Sequence, residues 1–172
     1  ALEAGVGHVV YASSIGAYGF HAEHEGKVLD ESTPVRGNDE FYYTRTKAEV
    51  ERWLDEVAAA HPDVAIARLR PSMFVNDDSP RAKLLRTPVA LVLGRPDVVT
   101  HLTHPEDVAQ AFVQALRKKA RGAYNIASDE PLSSAAWGPA TGRRGLRVPE
   151  AVLRGIERAY AAGLGDIDPI WF

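Results

Sequence analysis

Tyr43 and Lys47 stand four residues apart in the stretch Tyr43-Thr-Arg-Thr-Lys47. On a helix that spacing puts both side chains on one face, close enough to meet. A phenol with an ordinary pKa of about 10 is a poor acid or base at neutral pH. A neighbouring ammonium favours the phenolate and lowers that value. A tyrosine so placed takes a proton from an alcohol or returns one to a ketone. A second polar feature, Ser13-Ser14, closes the run of residues 7–13 (GHVVYAS). In open α/β sheets, ligands bind beyond the carboxyl ends of the strands. A serine at such a tip hydrogen-bonds a substrate oxygen and stabilises developing charge. Each signal alone is common, since serines end strands routinely and Tyr and Lys share many solvated helix faces.

The elements that must position these residues follow from periodicity and punctuation. Residues 7–13 read as a strand buried on both faces. Residues 20–39 are polar and turn-rich, with Gly26, Pro34, Gly37 and Asn38, and read as a long loop of the kind that tends to carry function. Residues 43–60 read as a helix, because Ala48, Val50, Trp53, Leu54, Val57 and Ala58 recur at helical spacing and Pro62 follows. Residues 64–69 read as a second strand stopped by Pro71, and residues 79–93 as a short helix and a turn. Pro105, Glu106 and Asp107 suit a first helical turn, after which Val108, Phe112, Ala115 and Leu116 continue one apolar face. Residues 123–127 form a third strand, and Pro149 opens a last helix with Val152, Leu153, Ile156 and Tyr160 on its face. Strands alternating with helices give an α/β fold with a mainly parallel sheet.

Taken in order, the motifs resemble the extended short-chain dehydrogenases/reductases, the NAD-dependent epimerase/dehydratase family. Val9 onward reads VVYASSIGAYG, similar to the family's buried strand with paired serines shortly before Tyr-Gly. Leu29-Asp-Glu-Ser-Thr-Pro34 resembles the loop before the family's tyrosine, and Tyr43-Thr-Arg-Thr-Lys47 its Tyr-x-x-x-Lys signature. Arg70-Pro71-Ser72, His104-Pro-Glu-Asp-Val-Ala109 and Tyr124-Asn-Ile-Ala127 with Glu130-Pro-Leu132 resemble later landmarks in the same order.

This resemblance implies a partial Rossmann-like, doubly wound parallel sheet plus part of a small C-terminal substrate domain. Residues 1–75 would be the later half of the dinucleotide-binding domain. Residues 76–172 would supply the substrate domain with a returning helix and strand. Tyr43 would be the general acid/base, Lys47 would lower its pKa and bond the nicotinamide ribose, and Ser14 would hold the reacting oxygen. Ala12, Ser13, Tyr43, Lys47, Pro71 and Ser72 would border the cofactor, NAD or NADP, and Met73 and Phe74 the substrate, a nucleotide-sugar-like molecule. The helix bearing Tyr43 would pack against its copy in a homodimer, with Trp53, Leu54 and Val57 serving core or contact.

The sequence also departs from the family pattern. The family opens with a strand, a glycine turn and a helix that hold the pyrophosphate, and the 172 residues contain no such turn. With apolar sequence at both ends, including Ile170-Trp-Phe172, the chain reads as truncated. The cluster Gly138-Pro-Ala-Thr-Gly-Arg-Arg-Gly145 has no strand before it and contains a proline, so it is a poor phosphate loop. Ile15 and Gly16 stand where dehydratases carry an acidic pair, and Phe74-Val-Asn-Asp77 lacks the Tyr-Gly usual after the Arg-Pro strand. Arg81, Lys83, Arg86 and Arg95 are candidates for a diphosphate clamp. Epimerase, dehydratase and ketone reductase remain open. The competing reading is an inactive fragment, or a binding or regulatory protein on the same scaffold.

Bulk composition is that of an ordinary soluble globular protein: 45% hydrophobic, 25% charged, net charge -3. That charge gives no reason to expect nucleic acid or an acidic membrane as partner, and the run Arg143, Arg144, Arg147 reads as a solvated loop. No apolar run reaches the roughly 20 residues of a membrane span, and residues 1–7 lack a signal peptide's basic region, so the expectation is cytoplasmic. With no cysteine, thiolate chemistry is excluded. His21, Glu23, His24 and Glu25, like His101 and His104, lie in loops, and no metal site is expected.

Overall fold

A computed structural model describes residues 2–74, 89–92, 99–149, 151, 152 and 155. In chain order the strands and helices are β1 (His8–Ala12), α1 (Tyr42–Ala60), β2 (Ala65–Pro71), β3 (Met73–Phe74), β4 (Val89–Val92), β5 (Val99–Thr100), β6 (Leu102–Thr103), α2 (Pro105–Arg117), β7 (Gly122–Ile126), β8 (Leu132–Ser133), α3 (Trp137–Ala140) and β9 (Arg144–Arg147). They fall into two compact units. One comprises Ala1–Phe74 with Thr103–Ser128, the other Val75–Leu102 with Asp129–Phe172.

The first unit is built on a parallel sheet in the order β1-β2-β7, with His8 opposite Ala65 and Ala67 opposite Gly122. Alternate residues of these strands face opposite helices. On the α1 side, Leu54, Val64 and Ile66 form a cluster with Val9, Tyr11, Val50, Val57 and Ala58. On the α2 side, Ala67, Leu69 and Ala115 gather Val10, Ala111, Phe112, Ala120 and Ile126. Central β2 is buried along all its length, as a strand covered on both faces and paired on both edges must be. This is the helix–sheet–helix layering of a partial Rossmann-like fold.

Several local expectations need correction. The first strand is only half-buried, because β1 pairs with β2 on one edge and has no second partner among the described residues. The second strand does not end at Leu69 but takes in Pro71. That proline ends β2 opposite Ile126, and the missing amide is harmless because Ser72 N–H donates to Ile126 O at 2.8 Å. Leu116 is 52% exposed, since the buried stripe of α2 runs through Ala111, Phe112 and Ala115 instead. Of residues 79–93, read as helix and turn, Val89–Val92 is a strand, parallel to β9 with Val89 opposite Arg144. Arg144 and Arg147 therefore lie in an exposed strand rather than a loop. Arg81, Lys83, Arg86, Arg95, Leu153, Ile156, Tyr160 and the apolar end Ile170-Trp-Phe172 lie outside the described residues. Among the described residues, no helix is long and apolar enough to cross a membrane.

Candidate functional site at the tip of β1

Helix α1 starts at Tyr42, one residue earlier than periodicity suggested, and its first turn is tied to the long loop. Thr44 is fully buried; its hydroxyl accepts from Asn38 N–H at 3.0 Å and donates to Phe41 O at 3.2 Å. The Asn38 side chain bonds the other end of the loop through Phe20, accepting from its amide at 2.7 Å and donating to its carbonyl at 3.0 Å. A loop whose two ends are tied to each other and to the helix start holds Tyr43 at a defined place, one turn before Lys47.

Lys47 Nζ donates to Ala12 O at 2.7 Å, and lies 5.1 Å from the Tyr11 ring centroid and 5.6 Å from that of Tyr43. Burial pulls its pKa below the ordinary lysine value, with the Glu51 carboxylate opposing that shift. Tyr11 moves the other way, pushed up first by burial and then by the nearby charges of Glu51 and Tyr43. Tyr43 is 46% exposed, and its hydroxyl has no protein partner among the described residues.

Ser14 caps a short 3-10 turn, Ile15–Tyr18, accepting from Gly16 N–H at 3.1 Å. That leaves its own proton without an acceptor among the described residues. Gly16 joins this hydroxyl to the tyrosine: a Cβ there would sit 3.3 Å from Ser14 Oγ and 3.4 Å from Tyr43 Cε1. The three residues singled out by spacing thus converge at the carboxyl end of β1, the lysine through Ala12 and the tyrosine through Gly16.

The other candidates divide. Ser13 is buried and donates to Glu51 Oε1 at 2.5 Å, so its proton is committed inside the protein. Ser72 is likewise buried, its hydroxyl 2.6 Å from that of Thr103. Pro71 is buried at the end of β2, Ala12 is exposed with its carbonyl taken by Lys47, and Met73 is half-buried in β3. Phe74 lies on the same strand, and its side chain is outside the described residues.

Sequence reasoning missed a buried ionic cluster beneath the site. Glu51, fully buried on α1, receives Arg70 Nε at 2.9 and 3.0 Å and Arg70 Nη2 at 2.5 Å. Arg68 Nε stands 3.8 Å from the same carboxylate, and Arg68 also pairs with Asp55. Arg70 Nη1 donates to the Tyr18 hydroxyl at 2.8 Å, which stands 2.8 Å from Asn125 Oδ1. Burial disfavours the charge of Arg70, yet its hydrogen bonds and attraction to Glu51, helped by Tyr18, raise its pKa. The signal was present: two arginines on one face of an apolar strand require buried acids, and Glu51 lies one turn beyond Lys47.

The donors left over suit a nicotinamide dinucleotide with its substrate. Two Lys47 N–H bonds match a ribose diol, and the unpartnered hydroxyls of Ser14 and Tyr43 match an oxygen-bearing carbon.

UDP-glucose 4-epimerase of Thermus thermophilus, solved with NAD, is similar at a TM-score of 0.63 and 22% identity, over 86% of this chain and 52% of that one. MoeE5, solved with UDP-glucose and NAD, gives 0.64 and 25% over 85% and 52%. dTDP-glucose 4,6-dehydratase of Bacillus anthracis str. Ames, solved with NAD, gives 0.64 and 17% over 81% and 48%. The chain thus spans about half the length of these proteins. No curated protein sequence matches it. The profile of the NAD dependent epimerase/dehydratase family matches residues 1–127, and the chain belongs to that family.

Proposed function

We propose that this chain carries the proton-transfer site of an NAD(P)-dependent enzyme acting on a hydroxyl or keto carbon of a nucleotide sugar. Supporting the substrate class are similar structures, of which one holds UDP-glucose and NAD. The observation that carries the reading is Lys47, anchored on Ala12 O at 2.7 Å with the Tyr43 ring one turn away. Oxidising a carbinol removes a hydride and a proton, and a bound nicotinamide dinucleotide takes or returns the hydride. As the phenolate, Tyr43 takes the hydroxyl proton onto its phenol oxygen and becomes the neutral phenol, and it gives that proton back when the ketone is reduced, returning to the phenolate. The ammonium of Lys47 stabilises the negative charge that develops on that oxygen. Ser14 donates its free proton to the substrate oxygen and fixes its direction.

The test is Tyr43→Phe in the intact protein. Tyr43 makes no structural hydrogen bond among the described residues, so the variant should fold normally while turnover falls by roughly 100-fold or more. Turnover within a few-fold of wild type would defeat the assignment. We further propose that the protein forms a homodimer through α1, whose Tyr42 and Trp53 are 74% and 59% exposed.

A further inference from the structure

Helix α1 grips the tip of β1 twice, at consecutive residues. Lys47 donates to Ala12 O at 2.7 Å, and one turn later Glu51 accepts from Ser13 Oγ at 2.5 Å. The next residue is Ser14. Its far side is fixed as well, because Tyr18, at the end of the turn that Ser14 caps, is bonded by Arg70 at 2.8 Å. Arg70 also holds Glu51 through three contacts of 2.5 to 3.0 Å. The cluster therefore brackets Ser14 from both sides.

From this geometry we infer that Glu51, locked by Arg70, is a positioning residue, setting where the Ser14 hydroxyl and the Lys47 ammonium stand. The inference rests on the proposed roles of Tyr43, Lys47 and Ser14. Glu51 is fully buried and reaches no ligand itself. A charge pair buried only for stability is weakly motivated, because well-packed apolar residues often do as well. One that also accepts from the residue next to a reactive hydroxyl has a geometric use.

Two variants test this in the intact protein. Ser13→Ala removes the strand-tip grip and leaves the Glu51–Arg70 pair in place, so folding is preserved. A misplaced Ser14 should lower kcat roughly 10- to 100-fold while KM for the sugar substrate stays within about twofold. Glu51→Gln keeps an acceptor for Ser13 but removes the negative charge that faces Lys47. The groups around that ammonium are Tyr11 on β1 with Tyr43 and Glu51 on α1, so the Lys47 titration, followed by nuclear magnetic resonance of its side chain, should move to lower pH. A merely structural role would lower thermal stability and leave kcat of folded Ser13→Ala unmoved. Wild-type kcat in folded Ser13→Ala overturns the inference, and so does an unmoved Lys47 titration in Glu51→Gln. The titration needs no turnover, so it stays readable even where Tyr43→Phe keeps full activity and the proposed function fails.

Discussion

Lys47 commits one ammonium proton to Ala12 O and keeps two for other acceptors, in a setting where burial disfavours its charge. The sign of the resulting pH dependence follows. The folded pKa lies below the ordinary lysine value of 10.5, so the cost of a half-buried charge is fully present below the folded pKa. Between that pKa and 10.5 the folded protein has released the proton while the unfolded chain still holds it. Stability from this residue therefore rises with pH across that window. Urea midpoints of wild type and Lys47→Met, compared between about pH 8 and pH 10.5, should show wild type gaining on the variant as pH increases. A constant difference would show that the ammonium is not desolvated. Tyr11 opposes this trend in both proteins, because its raised pKa makes the fold resist losing the phenol proton, and the comparison cancels it. Gly16 matters at the same scale. A side chain there would press on Ser14 Oγ and the Tyr43 ring.

At the scale of elements, α1 works as a column. Tyr43, Lys47, Glu51 and Asp55 recur every fourth residue; Lys47 meets Ala12 at the tip of β1, and Glu51 and Asp55 meet Arg68 and Arg70 on alternate positions of β2. The column's register depends on where the helix starts, and Gly37 helps fix that. Its φ is +64°, and a Cβ there would lie 2.7 Å from Thr44 O and 2.8 Å from Arg45 Cα, backbone atoms that cannot swing away. Gly37→Ala should cost about 2 kcal/mol or more in a urea unfolding measurement. A loss below about 0.5 kcal/mol would mean that the helix start shifts freely. The same contrast explains what was legible in the sequence. Helices α1 and α2 and strands β1, β2 and β7 were readable because their apolar spacing is local, and Ser14, Tyr43 and Lys47 because each sits in a short motif. The Glu51–Arg70 pair was not, since it joins a helix to a strand. Nor were β4 and β9, whose pairing brings together segments far apart in the chain. Leu116 misled because an apolar residue at helical spacing still faces water when its neighbours Ala111, Phe112 and Ala115 supply the stripe.

At the scale of the whole molecule, the sheet of the first unit lies between α1 and α2, and the outer side of α1 is partly exposed among the described residues. Trp53, near the middle of that helix, is 59% exposed, although Leu54 and Val57 beside it belong to the core. A large indole left in water forgoes roughly 2 kcal/mol of burial, which a second copy of α1 packed against the first would recover twice. The proposed homodimer therefore has a sensitive point. Trp53→Glu puts a charge on each side of the two-fold contact, where like charges face each other by symmetry. Sedimentation of the intact protein at concentrations on the order of 10 µM should give a dimer for wild type and a monomer for the variant. Because Trp53 contributes little to the core of its own chain, the monomer should keep its fold, visible as an unchanged far-ultraviolet circular dichroism spectrum. A wild-type protein already monomeric under those conditions, or a variant that still dimerises, would place the contact elsewhere and leave the Trp53 side chain an ordinary exposed aromatic.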